Sequence, residues 1–457
     1  MTMSRNGIDP GPVPPPPTGK RLQTQASRQP AHAARRGIGR IHRPSLTNSC
    51  YYLALAYYTA ATLLSYSFFI SRPIIHLLCG DSKRVLILCI VLIIINECLN
   101  EPKYSFLGTL VFLPLMLTCS LVTINTGNPM TLAILFFVYG GRRLNLTRVL
   151  EVAIAVSLLT AAVIVLSSQA GMITDYIQVT DERRRHFLGF LYALHGPQVI
   201  FNCMLSYIVA KQEKIRPLPL LSLVLLSLGG YLLTNSRSLT FMSLLAAVMA
   251  GLYTLFYRRI RQSSVQYWIH LIPAILTFPI LAVLSFYIPL QYTAGNGMMA
   301  QLNRALGYRL SLAKDALQSH DLHLFGDHIS WSGGGITPKG QANNIADYNY
   351  VDSSYIKGAL DYGIIFMGLA LAIWTLLMIR SVRRRQYIVI PIFLILALHA
   401  TADDLFLRLC FNSLWLCAIW LVQDLERWSG TEWVEHRLQH IRRKLGFMPS
   451  HASRRSL

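Results

Sequence analysis

Arg185, Arg237 and Arg309 carry the most specific chemistry in this sequence. A guanidinium offers paired N–H donors that match phosphate oxygens and keeps its charge at physiological pH, so arginines held at one place suit a pyrophosphate. A departing pyrophosphate gains negative charge in the transition state, and fixed cations stabilise that charge without reorganising. Asp352 and His328 add groups able to take a proton from an attacking hydroxyl. Transfer from a pyrophosphate donor to a hydroxyl acceptor is the reaction such a set would serve.

The scaffold that must position these residues is embedded in a membrane. Hydrophobic residues make up 53% of the chain and charged ones only 14%, and apolar runs of roughly twenty residues, enough to cross a bilayer as helices, recur along it. The expected fold is all-α, a polytopic membrane protein with about twelve transmembrane helices. Val85 to Leu99 and Met130 to Gly140 are the short runs, and Phe187 to Ala210 and Leu405 to Val422 are drawn as the sixth and the last. One large polar segment, Gln291 to about Ala359, interrupts the pattern.

Basic residues set the orientation. Arg142/Arg143/Arg148, Lys211/Lys214/Arg216, Arg258/Arg259/Arg261 and Arg380/Arg383/Arg384/Arg385 fall in every second loop, and both termini are basic. The positive-inside bias then places both termini in the cytoplasm and residues 291–359 in a large extracytoplasmic loop. Much of the net charge of +21 is topogenic or lies beside anionic headgroups, where a basic residue gains about 1 kcal/mol; no nucleic acid is needed to explain it. Three regions follow: a disordered basic cytoplasmic tail (1–48), a transmembrane domain (49–423) and a basic amphipathic cytoplasmic tail (424–457). In the last, Trp428, Trp433, Leu438 and Ile441 alternate with Arg437, Arg442 and Arg443 as on an interfacial helix. The first tail is too long and polar to open a cleaved signal peptide, so the first span reads as a retained signal anchor.

Several chemistries find no support. The chain has no G-x-x-x-x-G-K-[ST] loop, and Gly333-Gly334-Gly335 lacks the strand and helix that a phosphate loop needs. No two aspartates stand two apart, which removes the usual acidic clamp for a metal-bound nucleotide sugar. His320, His323 and His328 with Asp321 and Asp327 have the chemistry of metal ligands, but solvated loop histidines are the commoner case. The eight cysteines lie in or beside spans without zinc or disulfide spacing.

Arginine on the wrong side of the membrane is the anomaly. Arg183, Arg184, Arg185, Arg237, Arg304 and Arg309 fall outside or at the outer rim, where the bias should deplete them. Arg237 lies in Thr234-Asn235-Ser236-Arg237-Ser238, a short link that holds it at the surface, either snorkelling to lipid phosphates or serving a site. Leu302, Leu306, Leu310, Ala313 and Leu317 share one helical face, and Arg309, seven residues after Leu302, falls on that same stripe. Its head is then either in a pocket or bent out to water. Asp352 reads equally as a base and as a helix N-cap. Asp403 and Asp404 have Arg237, Arg408 or solvent as partners, and Trp331, Tyr348, Tyr350 and Tyr355 fit either sugar stacking or an interfacial belt.

The run Arg185-His186-Phe187-Leu188-Gly189-Phe190 is followed by the Asn235-Ser236-Arg237 link and by Gly307-Tyr308-Arg309 with Leu324-Phe325-Gly326. Val351-Asp352-Ser353-Ser354-Tyr355 then precedes Tyr362-Gly363-Ile364-Ile365. In this order the chain resembles Wzy-type bacterial O-antigen or exopolysaccharide repeat-unit polymerases, related to O-antigen ligases, over roughly Arg183 to Val422. It departs from the pattern at His195-Gly196-Pro197-Gln198, where relatives often carry Pro-Asn. The resemblance implies a C-type membrane glycosyltransferase in the bacterial inner membrane, with polyprenyl-pyrophosphate-linked oligosaccharide as substrate and neither cofactor nor metal. A flippase and a chain-length regulator would be its pathway partners. Arg185, Arg237 and Arg309 would hold pyrophosphate, with Asp352 or His328 as base.

A ligase of the O-antigen type and a transporter or flippase of lipid-linked sugars are the rivals. A transporter of this size usually shows internal repeats and intramembrane charged or broken helices; the two halves of this sequence show no similarity, and no mid-span ionisable residues stand out beyond Glu97, His195 and His399.

Overall fold

The structure is a computed structural model that describes residues 48–100, 106–180, 183–262, 264–341 and 348–429. The expected disordered tail, but for its last residue, and the basic helix beyond Ser429 lie outside them. Among the described residues, six helices are long and apolar enough to cross a membrane: α4 (Phe106–Thr126), α6 (Leu146–Gln169), α8 (Pro217–Thr234), α9 (Arg237–Gln262), α10 (Ser264–Leu290) and α13 (Ser354–Arg383). Their outward faces are the reason: in α4, Leu110, Leu113 and Leu117 are all exposed, which suits lipid and not water. α5 (Met130–Gly140) and α14 (Val389–His399) are shorter apolar helices. The chain is thus a mostly helical membrane protein.

Around these run α1 (Ser49–Ser65), α2 (Pro73–Cys79), α3 (Ser82–Leu99), α7 (His195–Lys211), α11 (Gly297–Ala305), α12 (Arg309–Ser319) and α15 (Ile419–Ser429). α7 is buried along nearly its whole length and packs against α6, α8, α9 and α14. α10 lies along α13, with Phe278 and Phe406 stacked about Trp374.

Three expectations need correction. Phe187 to Ala210 is not one helix: β1 (Ile177–Thr180) and β2 (Arg183–His186) form an antiparallel hairpin just before it, and α7 starts only at His195. Asp175 holds the intervening turn, accepting the Leu188 amide on Oδ1 at 2.8 Å and facing His186 Nδ1 with Oδ2 at 2.8 Å. The hairpin also qualifies the all-α expectation.

Leu405 to Val422 likewise is turns, a 3-10 helix (Ser413–Ala418) and only then α15. Its backbone is satisfied by side chains: Asp403 Oδ1 accepts the Leu405 amide, and Asn412 Nδ2 and Trp415 Nε1 both donate to the Phe406 carbonyl. Irregular backbone at membrane depth is tolerated only inside protein, and this stretch is almost wholly buried. α15 then runs without a break through the boundary drawn at 423/424.

The stripe Leu302 to Leu317 belongs to two helices. Gly307 (φ 65°) and Tyr308 (φ 64°) are left-handed and end α11, so Arg309 opens α12. α13 begins at Ser354, close to the helix start that a cap at Asp352 implies.

α13 is itself broken at Gly363 (φ 85°, ψ 160°). The amides that the break frees at Ile364 and Ile365 donate to the carbonyls of His323 (3.1 Å) and Leu324 (3.2 Å), so the polar segment enters the gap.

On the opposite side of the bundle, Arg142 is fully buried. Its Nη2 meets Glu97 Oε2 at 2.6 Å and its Nε meets Glu426 Oε1 at 2.8 Å, so Glu97 is partnered.

Candidate functional site

The sharp turn at Gly307-Tyr308 puts Arg309 at the first position of α12. Buried Asn303, on α11, caps the new helix: its Oδ1 accepts the amides of Leu310 (3.0 Å) and Ser311 (3.2 Å). That satisfies amides a helix start leaves unpaired and fixes where Arg309 departs from the backbone.

Asp352 comes from the strand-like approach to α13. Ser353, not Asp352, occupies the N-cap position, with no side-chain capping bond. The carboxylate turns to Arg309 instead: Nε and Nη2 reach the same oxygen, Oδ2, at 3.2 and 3.1 Å. The pair therefore overturns the capping alternative for Asp352 and gives Arg309 a partner other than water. Burial raises the Asp352 pKa, Arg309 opposes the rise and Asp403 adds to it. A carboxylate of increased basicity, kept ionised by a guanidinium, has the make-up of a general base.

Both residues line a cavity of about 330 Å³ whose remaining wall is largely apolar, including Leu281 and Ser285 of α10, Leu306, Ile356 and Leu398. Leu284, Leu302, Leu306 and Leu398 keep exposed surface, so the cavity opens among apolar side chains. A charged rim on an apolar hollow suits a lipid with a charged headgroup.

Arg185 joins this neighbourhood through Tyr192. Asp352, Tyr348, Arg185 and Arg309 all act electrostatically on the Tyr192 phenol. Arg185 projects from β2, where it pairs with Gln178, and β2 lies against α8. Gly334 lies beside the Tyr192 ring and Gly333 beside that of Tyr350, where an added Cβ would come within 2.8 Å; the triple glycine lets the polar segment pack closely here.

Arg237 and His328 are placed elsewhere. Arg237 is exposed at the start of α9, with Nε donating to Asn235 Oδ1 at 3.3 Å. Among the described residues, no direct bond joins it to Arg309 or Asp352. His328 Nδ1 lies 3.0 Å from the Thr126 carbonyl at the end of α4. Neighbouring Asn128 donates to the Tyr362 hydroxyl at 3.2 Å, and Tyr362 is about 12 Å along α13 from its first residue, Ser354, at the usual helical rise. Asp352 and His328 therefore serve different places. His320 packs on Trp331 and His323 faces Asp327 at 3.9 Å, so the three histidines do not converge.

A buried charge network was not anticipated. Lys357 pairs with Asp361 at 2.5 Å and lies under the rings of Trp331 (5.1 Å) and Tyr350 (5.4 Å). Trp331 Nε1 donates to the other Asp361 oxygen at 2.7 Å, and the Tyr350 hydroxyl donates to Asp404. Asp404 lies 3.8 Å from Arg408, so of its anticipated arginine partners it takes Arg408. Asp403 caps Leu405 and faces His399 at 3.5 Å. The signal was present in the sequence: Lys357 and Asp361 stand one helical turn apart in an apolar run.

No protein-family model, curated protein or solved structure matches this chain.

Proposed function

We propose that this chain is a Wzy-type polymerase that joins polyprenyl-pyrophosphate-linked oligosaccharide repeat units on the outer face of a bacterial plasma membrane. It crosses the membrane about twelve times, with both termini cytoplasmic and residues 291–359 outside. The observation that carries this reading is the Arg309–Asp352 pair on the rim of an apolar cavity.

Arg309 has donors enough to bind a phosphate oxygen while it holds Asp352. Arg185 adds charge to the same neighbourhood. Arg237, exposed at the start of α9, would hold pyrophosphate from the outer surface. Asp352 takes the proton of the acceptor hydroxyl. The oxygen attacks the anomeric carbon of the growing chain, a C–O bond forms as the bond to pyrophosphate breaks, and polyprenyl pyrophosphate leaves with the electron pair. A single displacement inverts that carbon. The step uses no cofactor or metal. A flippase that delivers the units and a chain-length regulator are the expected partners.

The break in α13 favours one rival, since interrupted helices are frequent in transporters. Purified protein mixed with lipid-linked repeat units, without nucleotide, separates the readings on a sizing gel. A ladder that Asp352→Asn and Arg309→Ala abolish supports the polymerase. Transfer to a lipid A core means a ligase, and passage of substrate across liposomes without a ladder means a transporter.

A further inference from the structure

Three arginines gather round one carboxylate where α13 ends beside α15. Arg380 Nε meets Asp424 Oδ2 at 2.7 Å, and its guanidinium lies 4.8 Å over the Trp420 ring. Arg384 and Arg427 reach the other Asp424 oxygen at 3.0 and 3.8 Å. Two of these three charges are left over, and the side chains of Arg384 and Arg427 are 52% and 69% exposed. The glutamates nearby, Glu97 and Glu426, are turned to Arg142 on the α5 side.

An apolar groove of about 330 Å³ leads away from this cluster between α4, α13 and α15. Arg380 stands seven residues after Ile373, within about 20° of its direction on α13, and Ile373 and Leu376 line the groove. On α15, Trp420 and Asp424 directly precede Leu421 and Leu425, which line it too. The arginines therefore begin where the apolar wall stops. From α4 only Gly108, Cys119, Val122 and Thr126 are buried, so this helix leans on its neighbours through few side chains and the groove is the space it leaves.

Length and charge together select the occupant. Along the groove wall from Gly108 to Cys119, α4 rises about 16 Å, which matches one leaflet, half of a hydrocarbon core of about 30 Å. A single acyl chain fills that length. The phosphate at its head then lies level with the arginines, whose paired N–H donors fit phosphate oxygens. We infer that the groove is a site for an anionic phospholipid of the cytoplasmic leaflet, its acyl chain bracing α4 against α13 and its headgroup held by Arg380, Arg384 and Arg427. Phe366, one turn beyond the break at Gly363, lines the far end, so the chain packs along the unbroken half of α13. The choice of leaflet rests on the cytoplasmic placement of the basic turn at Arg380–Arg385; the site is otherwise independent of the polymerase reading.

The test uses the full-length protein in mixed vesicles of phosphatidylglycerol and phosphatidylcholine. Each lipid in turn carries a photoreactive diazirine midway along an acyl chain. Mass spectrometry should map the phosphatidylglycerol label to the Gly108–Cys119 and Phe366–Leu376 stretches, with the phosphatidylcholine label there about ten-fold weaker. Arg384→Gln combined with Arg427→Gln, which leaves Asp424 its Arg380 partner, should remove most of that preference. Ile373→Trp, or Leu115→Trp from the facing wall, should block the label while the protein still melts cooperatively. Equal labelling of the parent by both lipids, a preference untouched by the double substitution, or labelling indifferent to both tryptophans overturns the site. None of these readouts involves turnover, so a protein that builds no polymer can still hold the lipid, and the two readings fail separately.

Discussion

Gly326 and Gly363 meet backbone to backbone: a Cβ on Gly363 would lie 2.3 Å from the Gly326 amide nitrogen, and one on Gly326 would lie 2.1 Å from the Asp361 carbonyl oxygen. Both residues have positive φ, 78° and 85°, so an L side chain is disfavoured twice, by conformation and by contact. Gly326→Ala or Gly363→Ala should cost about 1–3 kcal/mol in backbone strain alone, with the clash in addition. Thermal unfolding in detergent would show it, and a variant that melts like the parent would contradict the close approach.

The Arg309–Asp352 pair predicts a pH effect. Arg309 lowers the Asp352 pKa against the burial that raises it, so removing the positive charge moves that pKa further up. In Arg309→Gln the acid limb of the transfer rate should shift to higher pH, because a higher pH is then needed to ionise the base. Asp352→Asn should remove the rate itself, by about a hundred-fold or more for a lost general base. An unmoved limb in Arg309→Gln would show that the two groups act apart.

Asp404 links stability to pH. Burial, with Asp403 and Asp352 adding to it and Lys357 opposing, pushes its pKa up to about 7. The folded protein then binds a proton that the unfolded chain releases near the ordinary carboxyl value of 3.8. Stability from this group should fall as pH rises between those values and level off above, by on the order of a few kcal/mol. Asp404→Asn should flatten the fall in a series of melts from acid to neutral pH.

Arg142 gives a contrast between breaking and replacing a buried cluster. Arg142→Met leaves Glu97 and Glu426 without their cation and should cost about 3–5 kcal/mol. Adding Glu97→Leu and Glu426→Leu should recover most of that loss, since an apolar substitute of similar volume is often neutral. Unfolding midpoints of the single and triple variants decide it.

Asn303→Ala removes a cap and should cost about 1 kcal/mol. It should also lower transfer activity by loosening the start of α12, so that activity falls further than the melting temperature suggests. Asn303→Asp keeps the accepting oxygen and should retain most activity.

Apolar runs long enough to span a bilayer were legible in the sequence because composition alone marks them, as at Leu146–Gln169. The failures have one physical cause. At Leu405–Val422 and Phe187–Leu194 the residues are as apolar as a span, yet Asp403, Asn412 and Asp175 satisfy the backbone from the side, and hydropathy carries no trace of that. Periodicity across Leu302–Leu317 was real, but a two-residue left-handed turn at Gly307-Tyr308 reset its phase. Arg309 stood out in the sequence because it breaks the charge bias, and Asp352 because of the motif around it. Their partnership was not, since 43 positions separate them and only the fold measures that distance. Lys357 was overlooked because attention to arginine passed over a lysine one turn from its own carboxylate.

The Arg142 cluster also says something about how the protein is made. A chain emerging from the ribosome delivers Glu97 first, Arg142 45 residues later and Glu426 after a further 284. The acidic side chain of α3 is therefore made before its cation, and the contact of Arg142 with Glu426 has to wait for 284 further residues. A stop codon placed just ahead of Glu426 would therefore yield a protein that carries Glu97 and Arg142 and still lacks the second carboxylate of their cluster.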